Sequence, residues 1–352
     1  MKPLNFEGSG SEYFKIWIVN ILLIICTLGL YYPWAKVRKQ RYLYANSTFE
    51  GRNFEYHATG KQLFFGYIIA MASFIIFLIL QGVSPIAGSV VLLLFFMATP
   101  WIIWRSLQFN ARMTSFSNVR LGFNGTLGAA FINFLLLPLA LLIAVYVVPI
   151  AAAVGIPMLG DSLGAAAWLL GVIIGIAVVL IAFYLFAYLK KRNASYLMNG
   201  YRYGQGVFAA ELETKPFLKI TLKTVGLAII GMILAIGIIV AAVYSAGMAN
   251  EIMALQESMK DTDTMQEGFS VGLAVAVGLA YAALILVMLL VSAYSYTRQR
   301  AYSFANVKLD QEVTFASTLK ARTLGFVMMT NLLLVVFTFG LATPWATVRM
   351  IR

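Results

Sequence analysis

Six stretches of this 352-residue chain contain no Asp, Glu, Lys or Arg: 62–104, 121–160, 162–189, 224–250, 268–297 and 323–348. A helix needs roughly 20 apolar residues to cross the hydrocarbon core of a bilayer, so the first two stretches have room for a helix pair or for one long span with an extended end. Charged residues are 11% of the chain, less than half the share of an ordinary soluble domain. The chain is a polytopic membrane protein.

The formal net charge of +12 lies beside the apolar stretches, not in a separate domain. Anionic headgroups and the positive-inside rule account for it, and no nucleic acid is expected as a partner. Cys26 is the one cysteine, which excludes an intramolecular disulfide and a CxxC metal site. The opening MKPLNFEGSGSEYF lacks the features of a cleavable signal, so the first apolar segment is expected to be retained.

TLGLYYPWAKVR at 27–38 returns as TFGLATPWATVR at 338–349 and, shortened, as ATPWIIWR at 98–105. Two further junctions, 186–199 and 292–306, lack the Pro-Trp pair; in the second, Arg298, Tyr302 and Asn306 fall where Arg38, Tyr42 and Asn46 stand. Each junction leads into aromatic and β-branched residues around a Gly, Asn or Asp turn, as in STFEGRNFEYHATG, which predicts a short β-hairpin. The pattern predicts one integral-membrane domain of repeat units at about 6–55, 56–122, 123–207, 208–314 and 315–352. The middle three units hold two helices each, near 62–81 and 86–104, 127–153 and 164–189, and 220–248 and 269–296.

The links between paired helices are uncharged or acidic, including 251–267, while the hairpin junctions are basic. The positive-inside rule then puts the hairpins in the cytoplasm and the 251–267 loop outside. Segments 16–35 and 323–348 pose a problem, because both ends of each are then cytoplasmic. Either they turn inside the membrane near Thr-x-Gly or Asn and come back, or each is an ordinary span that overrules the charge bias.

The run FEGSGSEYFKIWIVNILLIICTLGLYYPWAKVRKQRYLYANSTFEGRNFEYHATG, together with the Pro-Trp motifs, resembles the YjgN-like family of bacterial inner-membrane proteins, known as domain of unknown function 898. The resemblance is specific near the N-terminus and extends in pattern over the whole chain. It implies a multi-pass protein of the bacterial cytoplasmic membrane and no particular activity.

The Pro-Trp-x-x-x-Arg triplets pair Trp34 with Arg38, Trp101 with Arg105 and Trp345 with Arg349. An indole at interface depth beside a guanidinium suits a lipid headgroup or another anion; an aromatic belt followed by a stop signal is the plainer reading. Asn20, Thr27 and Gly29 match Asn331, Thr338 and Gly340, as membrane-turn residues or as polar contacts between helices. The glycines of 223–246, among them Gly226, Gly231 and Gly237, suit close helix packing before any lined pathway.

His57 is the one histidine, and no Ser-His-acid set, P-loop or HExxH motif accompanies it, so neither an enzyme nor a cofactor or metal is expected. Charge-free spans argue against proton- or ion-coupled transport. The expected fold is an all-α membrane bundle of six to eight segments from tandem repeats, with short cytoplasmic β-hairpins. Two functions fit: a channel, transporter or lipid-translocating protein, or a scaffold or envelope-stress component binding a partner through the hairpins. Membrane lipids, and a second copy of the chain, are the partners that fit.

Overall fold

The computed structural model describes residues 2–158, 165–245 and 271–352, so Asp161 and the acidic 251–267 stretch lie outside the described residues. The chain divides into two compact units. Unit 1 is Met1–Leu218 with Ala301–Ser317 and Leu334–Arg352; unit 2 is Lys219–Arg300 with Thr318–Leu333.

Unit 1 is organised by strands. β1 (Asn5–Phe6), β2 (Ser47–Phe49), β3 (Arg52–Tyr56), β4 (Thr114–Phe116), β5 (Val119–Phe123), β6 (Tyr201–Tyr203), β7 (Gly206–Ala210), β8 (Val307–Leu309) and β9 (Val313–Thr314) form one nine-stranded sheet in sequence order. The hairpins at β2–β3 and β4–β5 turn on two residues of positive φ, Glu50 and Gly51 (52° and 74°) and Ser117 and Asn118 (48° and 64°). Such turns match the twist of the flanking strands. The short hairpins are not isolated. Each pairs antiparallel with the next, in registers such as Phe54↔Phe116, Leu121↔Tyr203 and Phe208↔Leu309.

Between consecutive hairpins the chain leaves as a helix and returns as a helix. α3 (Gly60–Val83) and α4 (Pro85–Met113) join β3 to β4. α5 starts at Leu127–Phe131, widens through π-helical turns at Ile132–Leu136 and Ile143–Val147 and ends with Val148–Met158; α6 (Ala165–Gly200) returns to β6. α7 (Thr214–Ser245) and α8 (Val271–Ala305) join β7 to β8. These six helices are long and apolar enough to cross a membrane. Ser9, Thr59 and Thr126 cap the helices that follow them by accepting from the backbone N–H of Glu12, Gln62 and Ala129.

The returning helices run further than the apolar pattern alone suggests. α4, α6 and α8 carry their polar last turns beyond the apolar layer to the strands, ending at Met113, Gly200 and Ala305. Pro100 lies inside α4 and does not stop it. Pro33 and Pro344 instead occupy first turns, of α2 (Tyr32–Ala45) and α10 (Thr343–Ile351), where a missing N–H costs nothing. All three prolines are fully buried.

Segment 16–35 reverses on itself. α1 (Gly10–Cys26) and α2 form an antiparallel hairpin whose outer ends both meet the sheet: β1 pairs with β2, Ser9 N–H donates to Tyr42 Oη at 2.9 Å, and the Tyr42 hydroxyl donates to Ser9 O at 2.9 Å. The reversal is at Thr-x-Gly. Thr27 Oγ1 donates to Leu23 O (2.7 Å) and accepts from Tyr31 N–H (3.0 Å), while Leu28 and Gly29 take φ of 50° and 91°. The same turn follows α9 (Ala321–Phe337): Thr338 Oγ1 donates to Leu334 O (2.7 Å) and accepts from Ala342 N–H (3.0 Å), with Phe339 and Gly340 at 50° and 88°. Left-handed residues that end a helix are costly for most side chains, which is why glycine sits at the more extreme position.

Packing concentrates where helices meet strands. Tyr56, Phe123 and Ala210, the last residues of β3, β5 and β7, each anchor a buried cluster, with Val37 and Ala58, with Ala111, Ala130 and Tyr196, and with Ala187, Leu212, Phe217 and Val307. The spans themselves bury few residues. No residue in the most apolar window of α3 or α6 is buried, and the other four spans reach 11% at most. In unit 2, Gly231 of α7 approaches α8 closely: a Cβ there would lie 2.9 Å from Val287 Cγ1. Gly226 and Gly237 face open space.

Candidate functional site

Four helices lead into even-numbered strands, and each carries an arginine nine residues before the strand begins: Arg38, Arg105, Arg192 and Arg298 before Ser47, Thr114, Tyr201 and Val307. At 1.5 Å per residue that places each arginine Cα about 13 Å along its helix from the strand that follows.

Two of these arginines meet a buried asparagine. Asn20 of α1, 6% exposed, donates from Nδ2 to Ala35 O at 3.4 Å, and its Oδ1 accepts from Arg38 Nη1 at 3.4 Å. Arg38 Nη1 also approaches Tyr31 Oη at 3.4 Å. Asn133, 1% exposed in the first π-helical turn of α5, accepts from Arg192 Nε at 3.2 Å. Turns of this kind re-aim side chains and frequent functional sites. Arg105 instead stacks beside Trp104, 5.9 Å from the ring centroid, and Arg298 beside Tyr294 at 5.8 Å.

The motif tryptophans divide. Trp34 lies against Gly60 at the start of α3, and Trp345 against Gly10 at the start of α1; in both places a Cβ would stand 2.3 Å from the indole Cδ1. Trp345 also meets the ring of Phe14 (5.0 Å). Trp101 points outward, 51% exposed, and its neighbour Trp104 takes the keyed position, donating from Nε1 to Gly125 O at 2.7 Å. A tyrosine near the end of each of three helices reaches the chain just before its partner helix: Tyr42 to Ser9, Tyr196 to Thr126 O (3.2 Å), and Tyr302 Oη, which accepts from Glu213 N–H (3.1 Å).

Asn20 and Arg38 are thus brought together on α1 and α2, while Trp34 turns to α3 and Thr27 and Gly29 sit apart at the hairpin tip. Asn331 is buried in α9, and Arg349 lies on the exposed side of α10. Trp104, Asn133 and Arg192 are the residues that motif matching overlooks. Counting back from the strand, in place of matching Pro-Trp, finds Arg192. His57 is half-buried, its Nε2 2.7 Å from Ser115 Oγ and 3.4 Å from Glu55 Oε2. One ring nitrogen meets both groups, which is not the relay of a hydrolase triad.

A family model described as a bacterial protein of unknown function (DUF898) matches residues 1–352. The chain belongs to this family. It is similar to the inner membrane protein YjgN of Salmonella typhimurium, 26% identical over 99% of this chain and 85% of the relative. It is also similar to the inner membrane protein YjgN of Escherichia coli K12, 41% identical over 34% of this chain and 30% of the relative. No solved structure matches.

Proposed function

We propose that this protein is a lipid-translocating protein of the bacterial inner membrane, its sheet on the cytoplasmic side and its catalytic repertoire nil. The observation that carries the reading is the α1–α2 hairpin. Past its last charge, Lys15, α1 runs from 16 to 26, about 16 Å, or about half of a hydrocarbon core of roughly 30 Å. Its tip is apolar and bare, with Leu28 89% exposed, and its base carries the Asn20–Arg38 contact. A wedge that enters and returns displaces acyl chains from one leaflet only. The Arg38 guanidinium at its base can meet the headgroups beside it.

Two further features favour lipid over a soluble substrate. The spans bury almost none of their residues, so most of their surface is open to acyl chains. Charge-free membrane stretches leave nothing to couple ion or proton flow. The tandem pattern, with the same Thr-x-Gly reversal at 27–29 and 338–340, supports two wedges of common origin. A scaffold role would use the sheet, but β1 and β9 are two residues each, short for templating a partner strand.

The test is reconstitution with a fluorescent phospholipid and an impermeant reductant. Empty vesicles lose about half their signal; vesicles holding the protein are expected to lose clearly more, and Trp101→Ala with Arg105→Ala to slow the second phase. Loss stopping at the outer leaflet in both preparations would end this reading.

A further inference from the structure

Where α6 gives way to the next helix pair, the chain leaves an open groove of about 510 Å³ lined by Tyr184, Lys191, Leu212, Glu213, Thr214, Lys215 and Leu218. We propose that this groove holds the phosphate of an anionic phospholipid, with the start of an acyl chain lying along Tyr184 and Leu218. The proposal deepens the lipid reading above by naming a binding site and a headgroup class.

Three observations carry it. Lys191 and Lys215 come from different helices to one groove, and among the described residues neither ammonium has an ion-pair or hydrogen-bond partner. Its neighbour Lys190 is engaged elsewhere, its Nζ 4.5 Å from the centre of the Phe186 ring. Two ammonium groups with one carboxylate, Glu213, leave the lining with a net charge of +1, which suits a monoanionic phosphodiester better than a zwitterion.

The groove is also graded along the helix. Tyr184 lies seven residues before Lys191, about 10 Å closer to the middle of the span. Polar groups gather at the sheet end and apolar ones at the membrane end, as glycerol and acyl chain succeed phosphate in a lipid. The floor, Leu212, belongs to the buried cluster with Ala187 and Phe217, so the shape is held by the packed junction.

The experiment is native mass spectrometry of the full chain in detergent, titrated with phosphatidylglycerol, phosphatidylcholine or inorganic phosphate. Phosphatidylglycerol is expected to be retained in preference to phosphatidylcholine, and Lys191→Gln with Lys215→Gln to weaken retention by about tenfold. Lys191→Arg with Lys215→Arg should restore it, and Lys308→Gln, on β8, should leave it unchanged. Unchanged retention in the glutamine double variant overturns the proposal. So does displacement of the lipid by inorganic phosphate at equal concentration, which would make this a site for a free anion. Because the readout is retention, an absence of lipid flux in vesicles would remove the translocation reading without touching this one.

Discussion

The indole of Trp345 rests on Gly10, so that α10 packs on α1 and the two are fastened as Trp34 fastens α2 to the start of α3. The fit exists only because position 10 lacks a Cβ. Gly10→Ala should therefore destabilise the detergent-solubilised protein by about 2 kcal/mol, read as a lower thermal unfolding midpoint, and Trp345→Leu by a similar amount. Combining Gly10→Ala with Trp345→Leu should recover most of the loss, because the smaller side chain yields the space the new methyl needs. Independent, additive losses would show that the two residues do not share a contact.

The hairpin makes a topological prediction. Cysteines placed at Asn5 and at Glu50, in a Cys26→Ser background, lie at neighbouring strand ends of the sheet and should label with an impermeant thiol reagent from the same side of the membrane. Cys26 itself, at the inner end of α1, should resist the reagent from both sides. Labelling of positions 5 and 50 from opposite sides would mean that segment 16–35 spans.

Asn133 and Arg192 should behave as one unit. Replacing Asn133 with Leu removes the acceptor of a partly buried guanidinium, and a cost of about 1–3 kcal/mol is expected in chemical denaturation. Asn133→Leu with Arg192→Leu should cost less than the single change, since no charge is then left without an acceptor. A coupling energy near zero in the double-mutant cycle would sever the pair.

Tyr56 carries a hydroxyl that is buried without a hydrogen-bond partner among the described residues, and its ring stacks on Tyr44 at 5.6 Å. Tyr56→Phe should thus be neutral or stabilise by about 1 kcal/mol. Burial first, and the neighbouring Tyr44 second, hold the Tyr56 phenol above its ordinary value of 10.0. The folded state then keeps its proton more tightly than the unfolded one, so this stability is present below pH 10 and declines as the pH rises further. Midpoints measured from pH 8 to pH 11 should fall less steeply for Tyr56→Phe than for the parent protein.

Much of this was legible in the residues. Charge-free runs announced the six spans, Asn, Gly and aromatic spacing announced the strands, and Thr-x-Gly fell where the chain reverses. The joining of hairpins into one sheet was not legible, because strands of two to five residues hold too little pattern to name a partner separated by two membrane helices. The uses of the Pro-Trp pair were hidden for a related reason. Pro33 and Pro100 look alike in sequence, yet one starts a helix and the other sits within one, a choice made by what precedes it: a left-handed turn in α1–α2 and an unbroken apolar helix in α4.

The sheet pairs each strand only with its neighbours in the chain, and that order has a temporal meaning. Strands made early can dock before later ones exist, and each newly inserted helix pair delivers one more hairpin to a waiting edge. Until it arrives, β3, β5 or β7 presents unpaired backbone amides to whatever else is in reach. The growing protein is thus exposed at a different seam after every pair of helices, and a pause in synthesis at any of them would leave a sheet that is well formed but unfinished.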